Sequence, residues 1–181
     1  MKKIYLVVLV LLIGCSSDSV DSSDETPVII ETGLKDLATS KGKFIGNLMR
    51  DGFFDNHDIY NGAIDNILKT EYNALVTGNK LKMVNLLRDR PEDPFNIKIS
   101  DLNTYNIDRF VNYANKHNMK KRGHVMIWYK QIPNWLDEES KTWTSQQIYD
   151  FTESYIRALS RYTHGKIDEW DVLNEAIVFN G

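Results

Sequence analysis

The sequence is 181 residues long, 42% hydrophobic and 26% charged, which suits one soluble globular domain and excludes a disordered chain. Its formal charge is −3, and its lysines and arginines are scattered rather than striped, which excludes nucleic acid as a partner. Aromatic residues make up 11%, and such rings serve both as core material and as platforms for sugar faces.

At the N-terminus, Lys2 and Lys3 precede an unbroken apolar run from Ile4 to Ile13. That run is too short to span a bilayer at about 1.5 Å per residue, so it reads as an export signal. It ends at Leu12-Ile13-Gly14-Cys15, which resembles a bacterial lipobox with Cys15 as the lipid acceptor. Cys15 is the only cysteine, so no disulfide within the chain is possible. Residues 1–14 are therefore expected to be a lipoprotein signal peptide. Loss of Lys2 and Lys3 with it leaves 20 basic against 25 acidic residues, a charge of −5. Residues 15–27 form an acidic, serine-rich tether with nothing to bury in a core. Its acidic residues resemble the surface-export signals of bacterial lipoproteins, although a plain solvated linker has the same composition. The expected location is the outer membrane, through a lipid anchor at Cys15.

From residue 28 the pattern predicts strands alternating with helices. Lys43–Met49 is a short apolar run that reads as a strand. Asp58–Lys69 carries Tyr60, Ile64, Ile67 and Leu68 at helical spacing, and Asn73–Thr77 is a second strand closed by Gly78. After a polar stretch, Ile107, Phe110, Val111 and Ala114 mark a helix behind a cap at Thr104. Arg122–Trp128 reads as a third, buried strand. Thr144 and Gln147 resemble a capping box opening a helix that carries Ile148, Phe151, Tyr155, Leu159 and Tyr162 and stops near Gly165. Ile167–Leu173 is the fourth strand.

This alternation implies a parallel sheet with covering helices. It closes either as a doubly wound sheet or as part of a (β/α)8 barrel. No glycine-rich phosphate loop follows any strand, which disfavours the nucleotide-binding version. In both closures, functional residues gather where strands end. Asn79 and Lys82, then Trp128 to Gln131, then Asn174 and Glu175 lie just beyond strand ends. A carboxylate, a lysine, amides and a tryptophan on one rim suit a sugar site.

Two stretches carry a resemblance. Arg122-Gly123-His124 with Ile127-Trp128, Gln131, Pro133 and Trp135 resembles the third-strand signature of family 10 of the glycoside hydrolases, the endo-β-1,4-xylanases. Trp170-Asp171-Val172-Leu173-Asn174-Glu175-Ala176 resembles that family's fourth-strand signature. The likeness runs from about Leu34 to Gly181, the first half of the family's domain. It implies a fold class of α/β, with residues 28–181 forming about four βα units of a (β/α)8 TIM barrel.

It also implies retaining hydrolysis of β-1,4-linked xylan or a related plant polysaccharide, with no metal and no organic cofactor. In that chemistry one carboxylic acid protonates the leaving oxygen while a second carboxylate, about 5–5.5 Å away, attacks the anomeric carbon. By resemblance Glu175 is the acid/base. Asn174 bonds the 2-hydroxyl of the sugar beside the cut. His124 and Lys82 hold hydroxyls of the same sugar with Asn79 beside them, Trp128 lines the pocket, and Gln131 lies nearby. The nucleophile belongs to a later strand, so the 181 residues alone are expected to be inactive.

The same residues have plainer readings. Glu175 can be a surface carboxylate, His124 a hydrogen-bonded core histidine, Trp128 and Trp135 packing, and Lys82 a solvated lysine. The Asp137-Glu138-Glu139 run reads as a solvated loop. Two departures from the family matter. Its substrate-holding glutamate before Asn79 is Gly78 here, a loss of about 1.5–3 kcal/mol if that charged hydrogen bond is not replaced. The histidine that usually follows Trp128 is Tyr129. These departures leave open a non-catalytic, carbohydrate-binding surface lipoprotein. A family member acting on another β-glucan or a decorated xylan and a remnant that does not fold are the remaining alternatives.

Overall fold

The computed structural model describes residues 32–52 and 62–177. The expected leader, Cys15 and the tether lie outside the described residues, as do positions 58–61 of the expected second-unit helix. Thr32 to Gly181 groups as one compact unit.

Four strands form one parallel sheet: β1 Gly46–Met49, β2 Ala74–Thr77, β3 Lys120–Ile127 and β4 Glu169–Leu173. All four fall inside the runs predicted from sequence, apart from two extra residues at the start of β3. Their spatial order is β1-β2-β3-β4. A doubly wound sheet reverses direction at a switch point, whereas an unbroken sequential order is that of a barrel wall. The register pairs Gly46 with Ala74, Ala74 with Lys120 and Arg122 with Glu169. A shift between His124 and Ile127 interrupts the β3–β4 ladder, and the His124–Val125 peptide is cis.

The helices are α1 Leu34–Ser40, α2 Ala63–Glu71, α3 Met83–Leu86, α4 Tyr105–Lys116, α5 Asn134–Glu139 and α6 Ser145–Thr163. The α4 stripe buries Ile107, Phe110, Val111 and Ala114, as its spacing predicts. Thr104 is the N-cap residue of α4, but its backbone is helical and its side chain makes no capping bond. Thr144 does cap α6: its hydroxyl accepts the Gln147 N–H at 3.2 Å, and the Gln147 side chain accepts the Thr144 N–H at 2.9 Å. Gly165, at φ 71°, follows the end of α6, a left-handed position that glycine takes without penalty. On α2 only Leu68 is buried, while Ile64 and Ile67 remain largely exposed. The acidic run expected as a loop is helical in α5 instead, with Asp137 paired to Lys141 and Glu139 to Arg90.

The core lies between the sheet and α4 and α6. Phe110, Leu75, Met126, Phe151, Tyr155 and Leu159 are buried there. Trp135 and Trp143 meet the Phe151 ring at 6.1 and 5.4 Å, so Trp135 is packing material. Asn73 ties the entry of β1 to β2. Its Oδ1 accepts the Ile45 N–H, and its Nδ2 donates to Thr39 and to the Lys43 carbonyl. The register places Leu48, Val76, Arg122 and Glu169 in one row across the sheet, and Leu48 is half exposed.

Candidate active site

In a parallel sheet all strand ends of one polarity share an edge, so the loops after β1, β2, β3 and β4 meet on one rim. Every site residue expected in the domain lies on this rim or next to it.

After β2, Asn79 and Lys82 turn toward the loop after β3. Lys82 Nζ donates to Asn79 Oδ1 at 2.9 Å and to Gln131 Oε1 at 2.5 Å, and Gln131 Nε2 reaches the same Asn79 oxygen at 3.1 Å. Lys82 is only 9% exposed, so it is not the solvated lysine of the plainer reading. Its ammonium lies over the Trp128 ring, 4.6 Å from the centroid, a cation–π contact. Burial lowers its pKa, against the attraction of Asp51 and Glu175. Asp51, after β1, accepts the Asn79 backbone N–H at 2.9 Å and its Nδ2 at 2.8 Å.

His124 sits within β3, opposite Asp171 of β4. Its Nδ1 lies 2.9 Å from Asp171 Oδ2. A carboxylate only accepts, so Nδ1 carries the proton and Nε2 is left for another partner. Arg122 grips the same carboxylate through Nε, at 3.1 and 3.2 Å, and Nη2, at 2.5 Å. Burial raises the Asp171 pKa, but the Arg122 and His124 hydrogen bonds outweigh it and hold the carboxyl below its usual range.

Asn174 and Glu175 follow β4. The Asn174 N–H bonds the Ile127 carbonyl at 3.0 Å, which fastens this turn to the end of β3. Glu175 has φ 51° and Gln131 φ 52°. A non-glycine residue in the left-handed region costs about 1 kcal/mol or more, and such positions cluster at functional sites. Trp128 Nε1 donates to Glu175 Oε2 at 3.0 Å, and Lys130 Nζ lies 3.9 Å from the same oxygen. The Trp128 hydrogen bond, with help from Tyr129, Lys130 and Lys82, holds the Glu175 carboxyl below its usual value.

The rim therefore joins Asn79, Lys82, Gln131, Trp128 and Glu175 into one run of contacts and sets the His124–Asp171–Arg122 group between β3 and β4. Asp51 and Asp171 are members that sequence reasoning missed. The register partner of His124 is the signal that finds Asp171; no local pattern signals Asp51. Among the described residues no three His, Cys, Asp or Glu side chains gather as metal ligands, and no helix is long and apolar enough to cross a membrane.

Sequentially ordered βα units with a carboxylate, a lysine, amides and a tryptophan gathered at the strand ends define a portion of a (β/α)8 barrel. The sequence profile of glycosyl hydrolase family 10 matches residues 33–181, and the chain belongs to that family as an N-terminal portion of its (β/α)8 barrel. Endo-1,4-beta-xylanase B of Thermotoga neapolitana is 27% identical over 176 residues, covering 96% of this chain and 44% of that protein. Endo-1,4-beta-xylanase A of Xylanibacter ruminicola is 37% identical over 79 residues, covering 42% of this chain and 21% of that protein. The structure of xylanase 10B from Thermotoga petrophila in complex with xylobiose superposes with TM-score 0.68 at 25% identity, covering 81% of this chain and 41% of that one. Native xylanase 10B from Thermotoga maritima gives 0.70 at 23% identity, covering 82% and 42%. The chain thus spans less than half the length of these relatives.

Proposed function

We propose that this chain belongs to an exported, retaining endo-β-1,4-xylanase in which Glu175 is the general acid/base. The observation that carries the reading is the Trp128–Glu175 hydrogen bond across the ends of β3 and β4, inside the two signatures that resemble the family. Asn174, His124, Lys82 and Asn79 hold the sugar beside the cut, Trp128 walls it, and Gln131 braces Lys82. Retaining hydrolysis needs a second carboxylate about 5–5.5 Å from the first. By family resemblance it belongs to a later strand of the barrel. Cys15 carries the lipid that anchors the protein to the outer membrane.

Glu175→Gln tests the role in the full-length protein. Xylan cleavage should be abolished, while an aryl xyloside with a good leaving group, which needs little acid assistance, keeps forming the glycosyl-enzyme. Undiminished xylan cleavage by the variant refutes the assignment. Gly78, Tyr129 and the depressed pKa of Glu175 support a second reading, a surface lipoprotein that binds xylo-oligosaccharides without cutting them. Saturable binding with no reducing ends released over long incubation separates it from the first.

A further inference from the structure

We infer that Asp51 is a positioning residue of this site: its carboxylate fixes the Asn79 amide in the one orientation that presents Oδ1 to Lys82 and Gln131. What the site binds rests on the xylanase reading; the positioning itself rests on geometry. Asp51 follows β1, and its two oxygens take the Asn79 backbone N–H at 2.9 Å and Nδ2 at 2.8 Å. A carboxylate only accepts and an ammonium only donates. Flipping the amide would set its NH2 against the Lys82 ammonium and its oxygen against Asp51, so both contacts enforce the same orientation.

The rest of Asn79 is equally committed. Its carbonyl accepts the Lys82 N–H at 2.9 Å and Asn85 Nδ2 at 2.8 Å. The Gly78 N–H bonds the Met49 carbonyl at 3.1 Å, which docks this turn on the end of β1. Gly78 has a specific part in this. A Cβ there would stand 3.3 Å from Asp51 Oδ1, so the glycine leaves the room that the carboxylate occupies. From Asn79 the contacts run through Lys82 to the Trp128 ring and from Trp128 to Glu175. Asp51 is the far end of that run and one of the two carboxylates whose attraction offsets the burial of Lys82.

The test uses the full-length protein with Asp51→Ala, Gly78→Glu and the double variant. Without sugar, NMR follows the Asn79 side-chain amide and the titration of the Lys82 ammonium. In Asp51→Ala the amide resonances should shift and broaden, and the Lys82 pKa should fall further. With xylotetraose, KM should rise about tenfold, as loss of a charged hydrogen bond from the site implies, with a smaller change in kcat. Gly78→Glu alone should raise KM by crowding two carboxylates together. In the Asp51→Ala background the same substitution should lower KM again.

Unmoved Asn79 and Lys82 signals overturn the inference. So does a variant that only melts earlier at unchanged KM, or a double variant whose KM changes simply multiply. A wild-type protein that neither binds nor cuts xylo-oligosaccharides overturns the xylanase reading instead, and the sugar-free NMR arm still decides the role of Asp51.

Discussion

Asp171→Asn removes one charge while keeping the shape of the side chain. The carboxylate serves Arg122 through three contacts of 2.5–3.2 Å and His124 through one of 2.9 Å. A hydrogen bond involving a charged group contributes about 1.5–3 kcal/mol, and solvent weakens it at exposed pairs. The Asp171 side chain is 26% exposed and that of Arg122 54%, so the lower end applies. The asparagine keeps part of the geometry, and the expected loss is about 1–1.5 kcal/mol at neutral pH. The assay is denaturant unfolding of both proteins from pH 8 down to pH 2. Asp171 has a folded pKa below its unfolded value. Its stabilisation is therefore complete above the unfolded pKa of about 3.9 and is lost as pH falls through the lower folded value. Wild type and variant should differ fully above about pH 5 and converge at the acid end. A gap under about 0.5 kcal/mol at pH 7, within the scatter of ordinary surface changes, refutes the reasoning. An undiminished gap at the acid end does the same.

Lys130→Met should move the alkaline limb of the kcat/KM profile on xylan to higher pH. In its proposed role Glu175 must be protonated for the first step, and Lys130, 3.9 Å away, helps hold its pKa down. The shift should shrink at high salt, because the pair is exposed, and a limb unmoved at low salt counts against it. Gly123→Ala would drive a Cβ into the Trp170 ring. Forced repacking of this kind costs about 1–3 kcal/mol or more, to be read from the denaturant midpoint. Tyr155→Phe should leave stability unchanged or raise it by up to about 1 kcal/mol, since its buried hydroxyl has no hydrogen-bond partner among the described residues. A clear loss in the melting curve would reveal a hidden partner.

The elements with a strong apolar period were legible in the sequence. β1 to β4, α4 and α6 lie close to where alternation and helical spacing place them; β2, β3, α4 and α6 bury residues against the core, whereas β1 buries only Met49 and β4 leaves Val172 and Leu173 exposed. α1 escaped notice because it buries nothing, so no stripe betrays it. α3 and α5 are four and six residues long, too short for a period to show. At the site, Lys82, Trp128, Gln131 and Glu175 were findable because family-like signatures hold them at strand ends. Asp51 contacts Asn79 across 28 positions, a pairing set by strand register rather than by local pattern. Asp171 stood inside a recognised signature, yet only its place opposite His124 gives it a task.

The sequential strand order bears on how the chain reaches this state. Neighbouring strands pair residues 28, 46 and 47 positions apart, for Gly46–Ala74, Ala74–Lys120 and Arg122–Glu169. Loop-closure entropy grows only with the logarithm of separation, so these closures differ by about 0.5 kcal/mol. No pair is privileged by proximity, and side-chain packing decides which forms first. Asp51 and Glu175 lie beyond the two outermost strands of the sheet, 124 positions apart. The contacts joining them exist only once every intervening pair has closed, so this rim is a late arrival in folding and an early casualty of local opening. A bound oligosaccharide, by favouring the closed form alone, would slow hydrogen exchange at all four strand ends together.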